Sequence, residues 1–191
     1  MKETLRTDPH AEIREEVRKL CSRFPGEYWR KLDQERGYPT DFVRALTEAG
    51  YLAALIPEEF GGAGLPLSAA AAILETVQAE GCNGAACHAQ MYIMGTILRH
   101  GTEQQKKTYL PKIATGELRL QAFGVTEPTS GTDTTSLRTF ARKEGDKYIV
   151  NGQKVWTSRA EHSDLMLLLA RTTPKDQTAK RTDGLSTFIV D

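Results

Sequence analysis

The periodicity of this chain changes once, near Gly116, and that change limits what it can fold into. Before it, apolar residues recur at the spacing of amphipathic helices; after it, they alternate with polar ones. Helices and strands sorted into separate blocks exclude a parallel sheet of alternating βα units and point to an α+β organisation. The expectation is an N-terminal all-helical domain over residues 1–117, followed by an incomplete, mainly antiparallel β domain over residues 118–191. A chain of 191 residues has room for one large or two small domains and can bury roughly 70% of its unfolded surface.

In the helical block, Thr7-Asp8-Pro9 opens a first helix with Asp8 as cap, and Ile13, Val17 and Leu20 form its inner face. That helix ends before Pro25-Gly26, and a short one over residues 28–36 carries Trp29 and Leu32. Pro39-Thr40 begins a third, with Phe42, Val43, Leu46 and Ala49 facing inward and Gly50 as its stop. Gly61-Gly62-Ala63-Gly64 lacks the Gly-Lys-Ser/Thr ending of a phosphate loop and reads as a flexible connection. Ser68 caps an alanine-rich buried helix through Gln78. The next helix, residues 84–100, carries Met91, Met94, Ile97 and Leu98 as an apolar stripe that serves either core or pocket. Thr102 and Gln105 form a capping box for a short helix running to Pro111 or just beyond, and Gly116 closes the block.

Strands are expected at residues 120–125, 137–143, 148–150, 155–158, 164–171 and 186–190, with an exposed charged loop over residues 172–183. Residues 165–170 lack polar alternation, which implies burial on both faces. The chain stops at Asp191 directly after an apolar strand, which would leave an unpaired edge. Two stretches carry candidate chemistry. In the first, Phe123 and Val125 alternate along a strand that Pro128 stops, so that Thr126 and Glu127 point to opposite sides. Thr129-Ser130-Gly131-Thr132-Asp133 then offers hydroxyls and a glycine without bulk, a cradle for a phosphate or the polar edge of a heterocycle. In the second, residues 148–158 read as two strands about an Asn151-Gly152 hairpin turn, which puts Trp156 and Ser158 on one face. An indole to cover a planar ring, beside a hydroxyl to meet a ring nitrogen, suits a planar cofactor with polar edges. The alternative is that Trp156 is core and Ser158 a solvated strand end.

Charges balance at 25 against 25 with no block of like sign, which excludes the electrostatic footprint of nucleic-acid or membrane-surface binding. The stretch from Met1 to Asp8 carries acids and no apolar run, arguing against a secretory or organelle signal, and no apolar run reaches membrane-spanning length. A soluble, cytoplasmic protein is expected. Cys82, Cys87 and His88 would need a fourth ligand at a recognisable spacing to make a zinc site, so these and Cys21 read as small buried thiols and no metal is expected.

Together these motifs resemble the flavin-binding segment of the acyl-CoA dehydrogenases. The family pattern is an aromatic residue, Val-Thr-Glu-Pro, two small residues and Gly-Ser-Asp, then Asn-Gly-Gln-Lys, Trp and Ile-Thr-Asn. It is met here by Phe123, Val125-Thr126-Glu127-Pro128, Gly131-Thr132-Asp133, Asn151-Gly152-Gln153-Lys154 and Trp156-Thr157-Ser158-Arg159. The resemblance also runs through residues 55–65, 101–106 and Tyr109-Leu110-Pro111, covering nearly the whole chain from Pro39 onward. It implies FAD as cofactor, with Thr126 and Trp156 on the flavin ring, Ser158 near its reactive nitrogen, and Phe123 and Val125 in the ring's surroundings. Gly131 and Thr132 would lie by the pyrophosphate or the CoA of the substrate, making Thr132 a substrate-binding residue as well. Thr132 for serine and Ser158 for threonine keep a hydroxyl. Arg159 for asparagine puts a long charged side chain beside the expected ring.

The resemblance further implies FAD-dependent α,β-dehydrogenation of acyl-CoA thioesters, a reaction of fatty acid metabolism in which a carboxylate takes the α-proton while the β-hydride leaves for the flavin. Electrons would pass to an electron-transfer flavoprotein or similar acceptor, and the full-length form would be a homo-oligomer. The family's glutamate base lies in a C-terminal helical domain that this chain lacks. None of the 25 acids stands at a matching position, so no catalytic residue is assigned. Three readings follow: a portion of an acyl-CoA dehydrogenase, a non-catalytic remnant or binding module, or a related acyl-CoA oxidase or flavin monooxygenase.

Overall fold

The computed structural model describes residues 8–191. Thr7 and the residues before it, on which the reading of the N-terminus rests, lie outside the described residues. The chain divides into two compact units, one ending at Glu117 and the other spanning Leu118–Asp191.

The first unit contains helices α1 (Ala11–Cys21), α2 (Gly26–Glu35), α3 (Thr40–Glu48), α4 (Leu67–Ala79), α5 (Ala85–His100) and α6 (Glu103–Thr115). Val17 and Leu20 of α1, Phe42, Val43 and Leu46 of α3, Ile73 and Val77 of α4 and Met91 of α5 meet in one core. Each fully buried aliphatic side chain there contributes about 1.5–3 kcal/mol. Beside it Phe24, Tyr28, Trp29 and Phe42 pack edge to face with ring centroids 5.0–5.2 Å apart, and the Trp29 indole N–H donates to the carbonyl of Phe24. Arg14 ties α1 to α4 through Glu75 and the Thr76 hydroxyl. No helix among the described residues is long and apolar enough to cross a membrane.

Several sequence expectations are corrected here. Asp8 does not cap α1 directly; its carboxylate accepts from the His10 N–H, and the helix starts at Ala11. Ser68 lies inside α4, whose N-cap is Pro66, and its hydroxyl meets the His10 ring instead. On α3, Ala45 is buried and Ala49 is exposed, because the helix has ended one residue earlier. The capping box of Thr102 and Gln105 is present, but α6 continues through Pro111 to Thr115. Ile113 and Ala114 lie beyond the proline and are buried, and Gly116 with φ 76° makes the stop.

The glycine-rich connection is not loose. Successive N–H groups of residues 61–65 donate to Glu58, Pro57, Ala53, Ile56 and Ala54. A Cβ on Gly62 would collide with the main-chain carbonyl of Ile56. Gly62→Ala should therefore destabilise the helical unit by about 2 kcal/mol or more, read as a lower urea midpoint by far-UV circular dichroism. An unchanged midpoint would show that the connection yields freely.

In the second unit a five-stranded sheet is built around β4 (Met166–Arg171). β5 (Leu185–Val190) runs antiparallel along the whole of one edge of β4, from Met166↔Val190 to Arg171↔Leu185. The other edge is shared by β1 (Ala122–Gly124), parallel at Met166 to Leu168, and by the start of β2 (Phe140–Glu144), parallel at Arg171. β2 then pairs antiparallel with β3 (Lys147–Asn151). The antiparallel pairings are the longer ones. Leu167, Leu168 and Ala170 are buried while Met166 and Leu169 are half-buried, close to the two-sided burial that the apolar run suggests.

The hairpin is closed elsewhere than at Asn151-Gly152. Its register runs from Phe140↔Asn151 to Glu144↔Lys147, so the two-residue turn is Gly145-Asp146, with Gly145 at φ 60°. Asn151 is the last paired residue of β3, and residues 155–158 form no strand.

Candidate functional site

The two motif stretches meet in the second unit through one carboxylate. Val125-Thr126-Glu127 leaves β1, and Pro128 turns the chain so that Glu127 and Ser130 exchange main-chain hydrogen bonds of 2.9 and 3.2 Å. The turn sends the Glu127 side chain inward, where only 3% of it is exposed. It accepts from the main-chain N–H of Arg138 (2.6 Å), the N–H of Thr139 (2.8 Å) and the Lys154 ammonium (2.9 Å). Lys154 Nζ also donates to the Val125 carbonyl at 2.9 Å, and the Val155 N–H donates to the Thr126 carbonyl at 2.8 Å.

Burial alone would raise the Glu127 pKa, but the donors at Thr139, Arg138 and Lys154 outweigh it and hold the carboxyl at about 2. Asp133, at the end of the turn, is also held at about 2, chiefly by the hydroxyls of Ser136 and Thr135 and by Arg181. Both carboxylates are ionised near neutral pH, and the hydrogen bonds that lower their pKa make them weak bases.

Gly152 explains why Asn-Gly is required without being a hairpin turn. A Cβ there would stand 2.6 Å from Thr139 Cα, so the chain leaving β3 lies directly on the residue that feeds Glu127. Lys154 is then drawn inward, and Trp156 takes φ 60°, with Arg159 at φ 59° shortly after. These are left-handed positions that cost a non-glycine residue about 1–2 kcal/mol each. The asparagine of the family pattern adopts such a conformation more easily than arginine, so the departure at Arg159 has a main-chain consequence as well as a charge.

Trp156 is 88% exposed, which overturns the alternative that it is core. Ser158 is exposed as well, but on a left-handed loop and not on the face of a strand. Phe123, Val125 and Thr126 are half-buried. Gly131 and Thr132 stand exposed on the turn, nothing lies within 4 Å of where a Gly131 Cβ would be, and Ser130 turns inward to the Asp133 carbonyl. The Val155–Thr126 bond ties the segment that carries Trp156 to the main chain at Thr126, while Gly131 and Thr132 sit beyond the Glu127–Ser130 turn.

Sequence reasoning missed Lys154 and the inward role of Glu127. An acid before proline and a lysine 27 residues later share no spacing rule; only the pairing of β2 and β3 brings them together. It also missed Arg171, 4% exposed, whose guanidinium donates to the carbonyls of Thr135, Thr173 and Asp183 and so fixes the charged loop after β4 against the 134–136 turn.

In the first unit, Leu55, Leu67, Met91, Tyr92 and Leu98 line a cavity of about 440 Å³. Met94 and Ile97 of the same stripe are fully buried core. Cys21, Cys82 and Cys87 are buried free thiols, and burial pushes Cys21 and Cys87 up to about 12, which makes them unreactive. Among the described residues no group of three or more His, Cys, Asp or Glu side chains could hold a metal ion.

Because the Glu127 pKa lies below its ordinary 4.5, its contribution to stability is complete above about 4.5 and is lost as pH falls toward about 2. The amount is on the order of 3 kcal/mol. Glu127→Gln should flatten the acid-side decline in unfolding midpoint between neutral pH and about pH 3. An equally steep decline in the variant would contradict this assignment.

Comparison with known proteins gives a consistent picture. The family model of the acyl-CoA dehydrogenase N-terminal domain matches residues 7–117, and that of the middle domain matches residues 122–191. The chain is 33% identical over 184 residues to a glutaryl-CoA dehydrogenase of Desulfococcus multivorans, covering 94% of this chain and 46% of that protein. It is 34% identical over 187 residues to a 3-(aryl)acrylate reductase of Clostridium sporogenes, covering 97% and 48%. Among solved structures, an acyl-CoA dehydrogenase from Geobacillus kaustophilus superposes with a TM-score of 0.85 at 29% identity, over 100% of this chain and 50% of that one. The chain thus spans about half the length of the relatives it matches.

Proposed function

This chain belongs to the acyl-CoA dehydrogenase family, and from that premise we propose that it forms the flavin-facing portion of an FAD-dependent oxidoreductase acting on acyl-CoA thioesters. The observation that carries the proposal is Trp156: a large aromatic side chain, 88% exposed, on a left-handed main chain within an otherwise closely bonded loop. Packing within the unit gains almost nothing from that arrangement, and strain of this kind persists where a ligand uses it.

The residues present fit FAD. An open indole face can cover one side of a planar ring, and Thr126 and Ser158 offer hydroxyls on either side of it in sequence. Phe123 and Val125 are half-buried beside Thr126 and can form apolar surroundings for the ring. Gly131 and Thr132, exposed and without bulk, can approach a pyrophosphate or the phosphates of CoA, so Thr132 serves cofactor and substrate alike. When bound, FAD would supply the two-electron acceptor for the bond between the α and β carbons. Thr126, Trp156 and Ser158 would hold the ring, with the indole available to cover one face of it. The α-proton requires a base from outside this turn, since Glu127 and Asp133 are fixed as carboxylates of low pKa.

The pocket that Leu55, Met91, Tyr92 and Leu98 line together with Thr96, Arg99 and His100 offers an apolar wall for the acyl chain of the thioester and polar groups beside it. An electron-transfer flavoprotein or similar acceptor, and a homo-oligomer of the complete enzyme, complete the proposal.

Titrating the purified chain with FAD should quench flavin fluorescence, and Trp156→Ala should weaken binding about tenfold, the loss of one aromatic contact of about 1.4 kcal/mol. Equal affinity in parent and variant would remove the indole from the cofactor site.

A further inference from the structure

We infer that Lys154 is the positioning residue of this site, and that its ammonium sets the angle at which the Trp156 indole is presented. The inference rests on the proposed reading of Thr126 and Trp156 as flavin contacts. Trp156 is so exposed that its side chain has little packing to hold it, so its direction is set by the main chain. That main chain is left-handed at φ 60°, a conformation a tryptophan adopts only when its neighbours impose it.

The imposing contacts all converge on the two residues immediately before it. Lys154 Nζ reaches the Val125 carbonyl and the Glu127 carboxylate, each at 2.9 Å, and the Val155 N–H reaches the Thr126 carbonyl at 2.8 Å. Three successive residues of one motif are thereby clipped to two successive residues of the other. The lysine stem completes the clip: its Cγ lies 3.4 Å from where a Cβ on Gly124 would stand, so the side chain runs over the end of β1 with only 8% of it exposed. A compact ammonium on a flexible stem can serve a carbonyl and a carboxylate from that narrow space, whereas a planar guanidinium could not.

A buried ion pair of this kind is weak evidence for stability, because desolvation offsets much of the attraction and an apolar replacement of similar volume is often neutral. What an apolar pair would not reproduce is the pair of directed bonds that fix residue 154 against residues 125 and 127, on either side of the main-chain bond from Val155 to Thr126. Orientation of Trp156, more than stability, is therefore what depends on the lysine.

Trp29→Phe in the full chain leaves Trp156 as the sole tryptophan. In that background, the emission anisotropy of Trp156 and the affinity for FAD can be measured for the parent, for Lys154→Met, and for the neutral double variant Glu127→Gln with Lys154→Met. The double variant avoids stranding a buried carboxylate, so it reports on positioning even where the single variant fails to fold. The expected result is a double variant with the parent's far-UV circular dichroism, a lower Trp156 anisotropy and FAD affinity reduced about tenfold. A folded double variant that keeps the parent's anisotropy and affinity overturns the inference. A parent that binds no FAD overturns the reading of the cofactor site instead, and the anisotropy comparison alone then decides the role of Lys154.

Discussion

A carboxylate removed from water dominates the second unit. Glu127 carries a full negative charge with 3% of its side chain exposed, and leaving such a group unpaired would cost several kcal/mol. The chain avoids that cost only when three segments coincide: the turn after β1, the Arg138-Thr139 approach to β2, and Lys154 beyond β3. The penalty for displacing any one of them opposes separate opening of the loops around the site, though they contain little regular secondary structure.

The consequence runs outward from that charge. Lys154 is drawn inward and Gly152 lies against Thr139, and in the residues that follow Trp156 and Arg159 take left-handed conformations. An indole is then left open to solvent one residue beyond the Val155–Thr126 bond. The strain and the exposure are separate costs, each of the order of a kcal/mol or more. Both are tolerated because the buried pair fixes the loop independently of what the indole touches, leaving its face available to a planar ligand.

Much of the helical unit was legible in the sequence, since its determinants are local. The stripe of Ile13, Val17 and Leu20, the capping box of Thr102 and Gln105, and the stops at Gly50 and Gly116 each lie within a turn or two of the chain they control. Gly62 was harder to read, because its requirement comes from the carbonyl of Ile56 and not from a need for freedom. In the β unit the failure was more instructive. Asn151-Gly152 carries the composition of a hairpin turn, yet Gly145-Asp146 closes the hairpin, and the second glycine serves close packing. Residues 155–158 alternate as a strand would, but Lys154 had already been committed to a buried partner far away in sequence. Period-two patterning cannot reveal such a tie. The motif residues were therefore identified while their geometry was not: Trp156 and Ser158 share a strained loop and not a strand face.

That dependence of the loops on Glu127 can be examined one amide at a time. Hydrogen exchange of the main-chain N–H groups of Arg138, Thr139 and Val155, followed by NMR in the unliganded chain, reports whether the three segments open together or separately. The account predicts that all three are protected to a common degree, close to that of the amides in β4, and that they lose protection together in Glu127→Gln. Exchange of Val155 as fast as that of the exposed Thr132 turn, with Arg138 and Thr139 still protected, would show that the tie through Glu127 does not hold the loop that carries Trp156.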